Sequence, residues 1–213
     1  MTTKDYRPIS LCNVCYKVIF KILVNRLKCV LPSILSQEQS TFITGRVIAD
    51  NVLLTQKIFP SLGNRHEGKK LMAIKLDVER AYDRMRWGFL KKVMDQFGFA
   101  GKFIDLIMGY ICDPSFTVLL NGTSTTWFKS TTGLWQGDPL SPFLFILGAK
   151  VLTRLLKREQ VLEKITCFPL GDGHDHLGHL LFADDCILVA QASTVEARAM
   201  NEVLQRYCSM SDQ

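Results

Sequence analysis

Leu180-Leu181-Phe182-Ala183-Asp184-Asp185-Cys186-Ile187-Leu188-Val189-Ala190 is an apolar run interrupted by two adjacent carboxylates. The apolar segments on either side have the length and composition of short strands, so residues 179–190 read as strand, tight turn, strand. Burying even one unpaired carboxylate costs several kcal/mol. Two like charges side by side raise that cost unless a proton or a cation neutralises them. Either the pair is a turn facing water, a common use of Asp, or it belongs to a site built around a cation. The stretch alone leaves both open.

Upstream, Leu71-Met72-Ala73-Ile74-Lys75-Leu76-Asp77 has the same character: a short apolar strand ending on a carboxylate, with Asp83 six residues further on. If the two strands are neighbours in one sheet, their carboxylates converge. An oxygen-rich cluster open to water and phosphate suits Mg²⁺. Two such ions about 3.5–4 Å apart can activate an attacking hydroxyl and stabilise a leaving pyrophosphate. Taken alone, Asp77 reads equally well as a helix N-cap after a strand. Between the two lies Gly133-Leu134-Trp135-Gln136-Gly137-Asp138-Pro139-Leu140-Ser141-Pro142. Gly137, lacking a side chain, would let a flat base or sugar approach the backbone. The alternative is a helix-entry loop with Pro139 in the first turn.

With 47% hydrophobic and 22% charged residues over 213 positions, the chain has globular rather than disordered composition. Its net charge of +6 suits a phosphate-bearing partner without demanding one. Met1 to Pro8 contains no apolar signal segment, and no apolar run reaches the roughly 20 residues that span a bilayer. The expectation is a soluble intracellular protein with no membrane partner. The seven cysteines are odd in number and scattered, as reduced thiols are. Cys12-Asn13-Val14-Cys15 is not followed by a second pair. His174, His176 and His179 could form a zinc site, but no cysteines stand at regular spacing beside them, which favours a polar loop entering a strand.

A helix is expected over residues 15–31, with Val18, Ile19, Ile22, Leu23 and Leu27 inward and Lys17, Lys21, Asn25 and Lys28 outward; Pro32 and Ser33 would end it. Further helices are expected over 47–62, 87–97 and 102–112, from Pro139 to about 158, and over 194–208 with Thr194 as cap. Asn121-Gly122 marks a hairpin. The order predicts an α+β domain: an antiparallel sheet with helices on one face.

Six segments in order resemble the reverse transcriptases of LINE-type (non-LTR) retrotransposons, particularly those of plants. They are Tyr6-Arg7-Pro8-Ile9-Ser10-Leu11, Asn25-Arg26-Leu27, Glu38-Gln39-Ser40-Thr41-Phe42-Ile43-Thr44-Gly45-Arg46 with Asp50-Asn51, Leu76-Asp77 to Tyr82-Asp83, Gln136 to Pro142, and His179 to Asp185. The resemblance implies a right-hand polymerase. Residues 1–70 would be partial fingers, and residues 71–213 the palm, an antiparallel sheet backed by helices. Asp77 and Asp184 match the principal metal ligands, and Asp185 matches the third catalytic carboxylate. Two Mg²⁺ ions are implied, with Mn²⁺ as a substitute. Tyr82 matches the aromatic residue under the incoming sugar. Arg7 matches an arginine that meets the triphosphate, and Val78, Gln136 and Gly137 match positions around the nascent pair. Asp83 reads as structural. RNA template, DNA primer and dNTPs are the implied partners, and the nucleus is the implied location.

Two positions depart from the family pattern. Trp135 stands where an arginine is usual and could stack on a base. Arg86 replaces an acidic residue before Trp87. Thumb and endonuclease segments of a larger polyprotein are not matched by any part of the sequence. The alternative reading is an inactive retroelement remnant that at most binds nucleic acid.

Overall fold

The computed structural model describes residues 9–43, 45–62, 65–66, 69–169 and 176–213, with residues 48, 61, 65, 66, 69, 169 and 176 described by backbone alone. Among the described residues, six helices and ten strands follow one another as α1 (Val14–Ile34), α2 (Ile48–Leu62), β1 (Arg65–His66), β2 (Lys69–Asp77), α3 (Trp87–Gln96), α4 (Gly101–Cys112), β3 (Ser115–Phe116), β4 (Leu119–Leu120), β5 (Thr123–Ser124), β6 (Phe128–Lys129), α5 (Ser141–Val161), β7 (Phe168–Pro169), β8 (His176–Leu177), β9 (His179–Phe182), β10 (Asp185–Gln191) and α6 (Thr194–Ser211). The principal sheet has the order β1-β2-β10-β9, and all its pairs are antiparallel. The fold is α+β, as the element order implies.

Alternation along β2 and β10 gives the sheet two different faces. Met72, Ile74, Leu76, Cys186, Leu188 and Ala190 pack with Leu152, Leu156, Met200, Val203 and Tyr207 of α5 and α6. The opposite face carries Leu71, Leu180, Ile187 and Val189, covered by Leu54, Ile58 and Leu62 of α2. Helices therefore lie on both faces rather than one. Toward the β9–β10 turn, Lys75 and Asp77 remain exposed on this face. A third cluster joins α1, α3, α4 and the first half of α5 around Phe20, Leu90, Met94, Ile107 and Phe145.

α1 differs from expectation in two ways. It buries Phe20, Leu23, Val24, Leu27 and Leu31, whereas Val18 and Ile22 are 54% and 51% exposed. Residues 18–24 are apolar nearly all round, so periodicity does not pick a face. The aromatic contacts of Phe20 with Tyr16, Tyr110 and Trp135 do. α1 also runs through Pro32 to Ile34, because Leu35 still donates its N–H to the Leu31 carbonyl at 2.8 Å beyond the proline. The Asn121-Gly122 turn forms as expected, with φ of 49° and 82° at its two central residues, the left-handed pair that suits a tight hairpin. α6 is capped by Ser193 rather than Thr194: the Ser193 hydroxyl accepts from the Glu196 N–H at 3.2 Å.

Candidate active site

β2 ends on Asp77 and β10 begins on Asp185, and the ladder places the two directly opposite each other. Directly opposed residues share a face of the sheet. Asp184 precedes them in the two-residue turn that joins β9 to β10, where Phe182 pairs with Asp185. Ala183 in that turn has φ of 52°, a left-handed conformation that costs a residue with a β-carbon about 1–2 kcal/mol. The strain is spent at the point where the carboxylates are presented. Among the described residues the carboxylates of Asp77 and Asp184 have no hydrogen-bond or ion-pair partner. Asp185 does: its Oδ1 lies 3.2 Å from Lys75 Nζ. Beside Asp185, α2 and the sheet enclose a groove of 540 Å³ walled by Val52, Phe59, Leu180, Phe182 and Ile187.

The donor chemistry at this edge suits a hard divalent cation, since free carboxylate oxygens come from two adjacent strand ends. The set is not gathered in advance, however. Among the described residues no three His, Cys, Asp or Glu side chains stand close enough together to hold a metal ion.

Tyr82 lies on the same side of the molecule. Its ring stacks on Phe145 with centroids 5.1 Å apart and planes 21° from parallel. Burial, and then the negative charge of Asp184, push its hydroxyl up to about 12. Val78 is half-buried against the helical core. The backbone of Tyr82 and its neighbours is tied to the glycine-rich loop. Leu134 N–H donates to Tyr82 O at 2.7 Å, and Gly133 N–H donates to Met85 O at 2.9 Å. A β-carbon on Gly133 would stand 2.7 Å from Asp83 O, so this approach requires glycine. Asp83 is thus engaged structurally, through its backbone.

Gln136 is half-buried and Gly137 exposed. What approaches the Gly137 backbone is the chain itself: a β-carbon there would meet Ser10 O at 3.1 Å, and Ser10 N–H donates to Gln136 O at 2.8 Å. The proline of the helix entry is Pro142, within the first two positions of α5, rather than Pro139. Ahead of the helix, the carboxylate of buried Asp138 accepts from Leu140 N–H and Ser141 Oγ, each at 3.0 Å, and braces the entry. Trp135 does not face a base. It is 8% exposed and packs edge-on against Phe116 at 5.1 Å and Phe20 at 6.1 Å. An indole fills a core position there that a guanidinium could not occupy unpaired. Arg86 pairs with Asp212 at 3.0 Å, fastening the end of α6 to the start of α3. Arg7 and His174 lie outside the described residues. His179 is turned inward, with Nε2 3.2 Å from Thr153 Oγ1, and burial lowers it to about 4. It belongs to the core.

Several residues of the family-like motifs hold the turn from behind. Arg46 clamps the loop between α1 and α2, donating to Leu35 O at 3.0 Å, to Gln39 O at 2.6 Å and to Ser36 O. That loop lies along the outer edge of β9: Leu181 N–H donates to Glu38 O at 2.9 Å, and Asn51 Nδ2 donates to Leu181 O at 3.1 Å. Burial, the largest single influence, would raise Glu38, but the 2.6 Å contact with Lys157 and the other hydrogen bonds to its carboxylate together outweigh it and hold the carboxyl at about 2. Across the sheet, Glu196 accepts from Thr166 N–H at 2.9 Å, Thr166 Oγ1 at 2.7 Å and Gln191 N–H at 3.0 Å. Residue order does not reveal these contacts, because they join loops, strand edges and helices that only folding brings together.

Comparison with known proteins agrees with this arrangement. The chain is 29% identical over 208 residues to the transposon TX1 uncharacterized 149 kDa protein of Xenopus laevis, covering 98% of this chain and 15% of that protein. It is 28% identical over 186 residues to the retrovirus-related Pol polyprotein of the type-1 retrotransposable element R2 of Nasonia vitripennis, covering 87% of this chain and 17% of that one. Both relatives are non-LTR retrotransposon proteins. Among solved structures, apo telomerase from Candida tropicalis matches with a TM-score of 0.56 at 19% identity, over 90% of this chain and 38% of that one. Telomerase from Candida albicans, in complex with an RNA fragment, matches with a TM-score of 0.58 at 15% identity, over 92% and 32%. These likenesses carry the right-hand polymerase fold. The family model of the reverse transcriptase (RNA-dependent DNA polymerase) matches residues 2–211, and the chain belongs to that family.

Proposed function

We propose that this chain is the polymerase core of a non-LTR retrotransposon, adding dNTPs to a DNA primer 3′-OH on an RNA template. The observation that carries the reading is the pairing of Asp77 with Asp185 across two strand ends, with Asp184 in the turn and Tyr82 beside it. Asp77 and Asp184 would hold the divalent ions, joined by Asp185. Bound Mg²⁺, or Mn²⁺ in its place, supplies Lewis acidity toward the primer hydroxyl and the triphosphate. Tyr82, uncharged and braced on Phe145, forms a fixed floor for the deoxyribose and leaves little room for a 2′-OH. Val78, Gln136, Gly137 and Arg7 are assigned to the surroundings of the incoming nucleotide. Template pairing selects the base, so the protein need read only backbone and the A-like shape of the heteroduplex. The net charge of +6 suits that partner.

Residues 1–70 would serve as fingers and 71–213 as palm. The chain spans only 15–17% of the Xenopus and Nasonia relatives, which supports a place within a larger polyprotein carrying thumb and endonuclease regions. Among the described residues no helix is long and apolar enough to cross a membrane. An element that inserts into chromosomal DNA would act in the nucleus. A second reading, a non-catalytic remnant, draws on the carboxylates not being gathered in advance. Mg²⁺-dependent primer extension on an RNA template separates the two. Product from this chain and none from Asp184→Asn supports the polymerase. No product from either, with circular dichroism confirming that both fold, favours the remnant.

A further inference from the structure

We propose that Lys75 is a positioning residue, a latch that competes with a divalent cation for Asp185, so that its ammonium group must leave before the third carboxylate can join Asp77 and Asp184 around the ion. The inference rests on the reading of these carboxylates as a metal centre and adds a residue that the reading does not include. Lys75 stands two positions before Asp77 on β2 and therefore shares its face. Its directly opposed residue is Ile187, which makes Asp185 its diagonal neighbour, a distance that a long side chain bridges. The bridge is made, at 3.2 Å.

Three carboxylates crowd this strand edge, and among the described residues Lys75 is the one cation paired with any of them. It draws Asp185 along the strand, away from the turn where Asp184 sits. This accounts for a site with the right donors that is not gathered into a metal-ready group. The side chains of Lys75 and Asp185 are 68% and 44% exposed, so water screens the pair and a divalent ion can displace it. A buried pair would lock the site shut. The ammonium group also offsets repulsion among these like charges.

Mn²⁺ binding to this chain, read by loss of the free-ion electron paramagnetic resonance signal, tests the latch without requiring turnover. Lys75→Met is expected to tighten Mn²⁺ binding about fivefold, the upper scale of an exposed ion pair. Lys75→Arg, which can keep the pair, should stay within about twofold of the parent chain. Removal of a positive charge alone would also favour a cation, so the same change is made in an Asp185→Asn background. There a latch acting through Asp185 leaves less than about twofold of the gain. No tightening, or equal tightening in both backgrounds, overturns the latch while the metal centre stands. Mn²⁺ binding untouched by Asp77→Asn and Asp184→Asn overturns the metal centre and the latch with it.

Discussion

Asp77 and Asp185 face each other directly across the β2–β10 ladder, at the end of the sheet where β2 stops and β10 starts. Two strands that are over a hundred residues apart in sequence therefore end on carboxylates at the same height. Neither Asp77 nor Asp184 has a side-chain hydrogen-bond or ion-pair partner among the described residues, so neither side chain holds the fold through a polar contact.

This separation of function from stability is testable. Asp77→Asn and Asp184→Asn should each lower primer extension by about 10²–10³-fold or more, the scale seen when a stabiliser of transition-state charge is removed. Unfolding free energy in urea should move by no more than about 0.5 kcal/mol. A large loss of stability would show that the carboxylates support the fold instead.

Tyr82 stacks on Phe145, and its hydroxyl feels the charge of Asp184. Tyr82→Ala removes the floor assigned to the sugar while leaving the three carboxylates in place. Single-turnover incorporation should then show the preference for dNTP over rNTP falling by about 10–100-fold, the scale of a lost steric contact in a pocket. Tyr82→Phe should keep most of the preference, because the ring rather than the hydroxyl makes the stack.

Gly133→Ala tests the seam between the glycine-rich loop and the residues after β2. The new methyl would meet Asp83 O at 2.7 Å, on a backbone with φ of 94°. A destabilisation of about 1–3 kcal/mol in urea unfolding is expected, from strain and from repacking of the seam. Gly88→Ala, where nothing lies within 4 Å of the new atom, is the matched control.

His179 gives a pH prediction. Burial lowers it from the ordinary value near 6.5 to about 4 in the folded chain. Between those values the unfolded chain binds the proton more readily, so stability falls as pH drops from 6.5 toward 4 and is complete above 6.5. The slope from this one group is at most about 1.4 kcal/mol per pH unit. His179→Gln should flatten that part of the curve. Loss of Glu38 ionisation acts at lower pH, below its ordinary range, since the Lys157 contact and the other hydrogen bonds to its carboxylate outweigh burial and hold it at about 2.

Much of this site can be read from residue order. Alternation and length identify the strands ending on Asp77 and Asp185, and Asn121-Gly122 identifies a hairpin from turn chemistry alone. The register that sets Asp185 opposite Asp77 is a long-range property, fixed by which face of each strand meets α5 and α6. The inward face of α1 was not legible, because residues 18–24 are apolar nearly all round and only the aromatic cluster at Phe20 decides it. The inward turn of Trp135 was hidden for a related reason: a large aromatic beside a loop reads equally as a stacking platform or as core. Arg46, Asn51 and Glu196 bind backbone carbonyls and N–H groups, which carry no side-chain identity for a sequence to reveal. Lys75 looked like one polar residue in a strand until its diagonal partner was known.

The central claim is that Asp77, Asp184 and Asp185 form a templated polymerase centre. Single-nucleotide addition to a labelled DNA primer on an RNA template, with Mg²⁺ and one dNTP at a time, tests it most directly. The account predicts addition of the complementary dNTP, little of the other three, and none from Asp184→Asn. Addition that ignores the template, or that is equal in the parent chain and in Asp184→Asn, would contradict it.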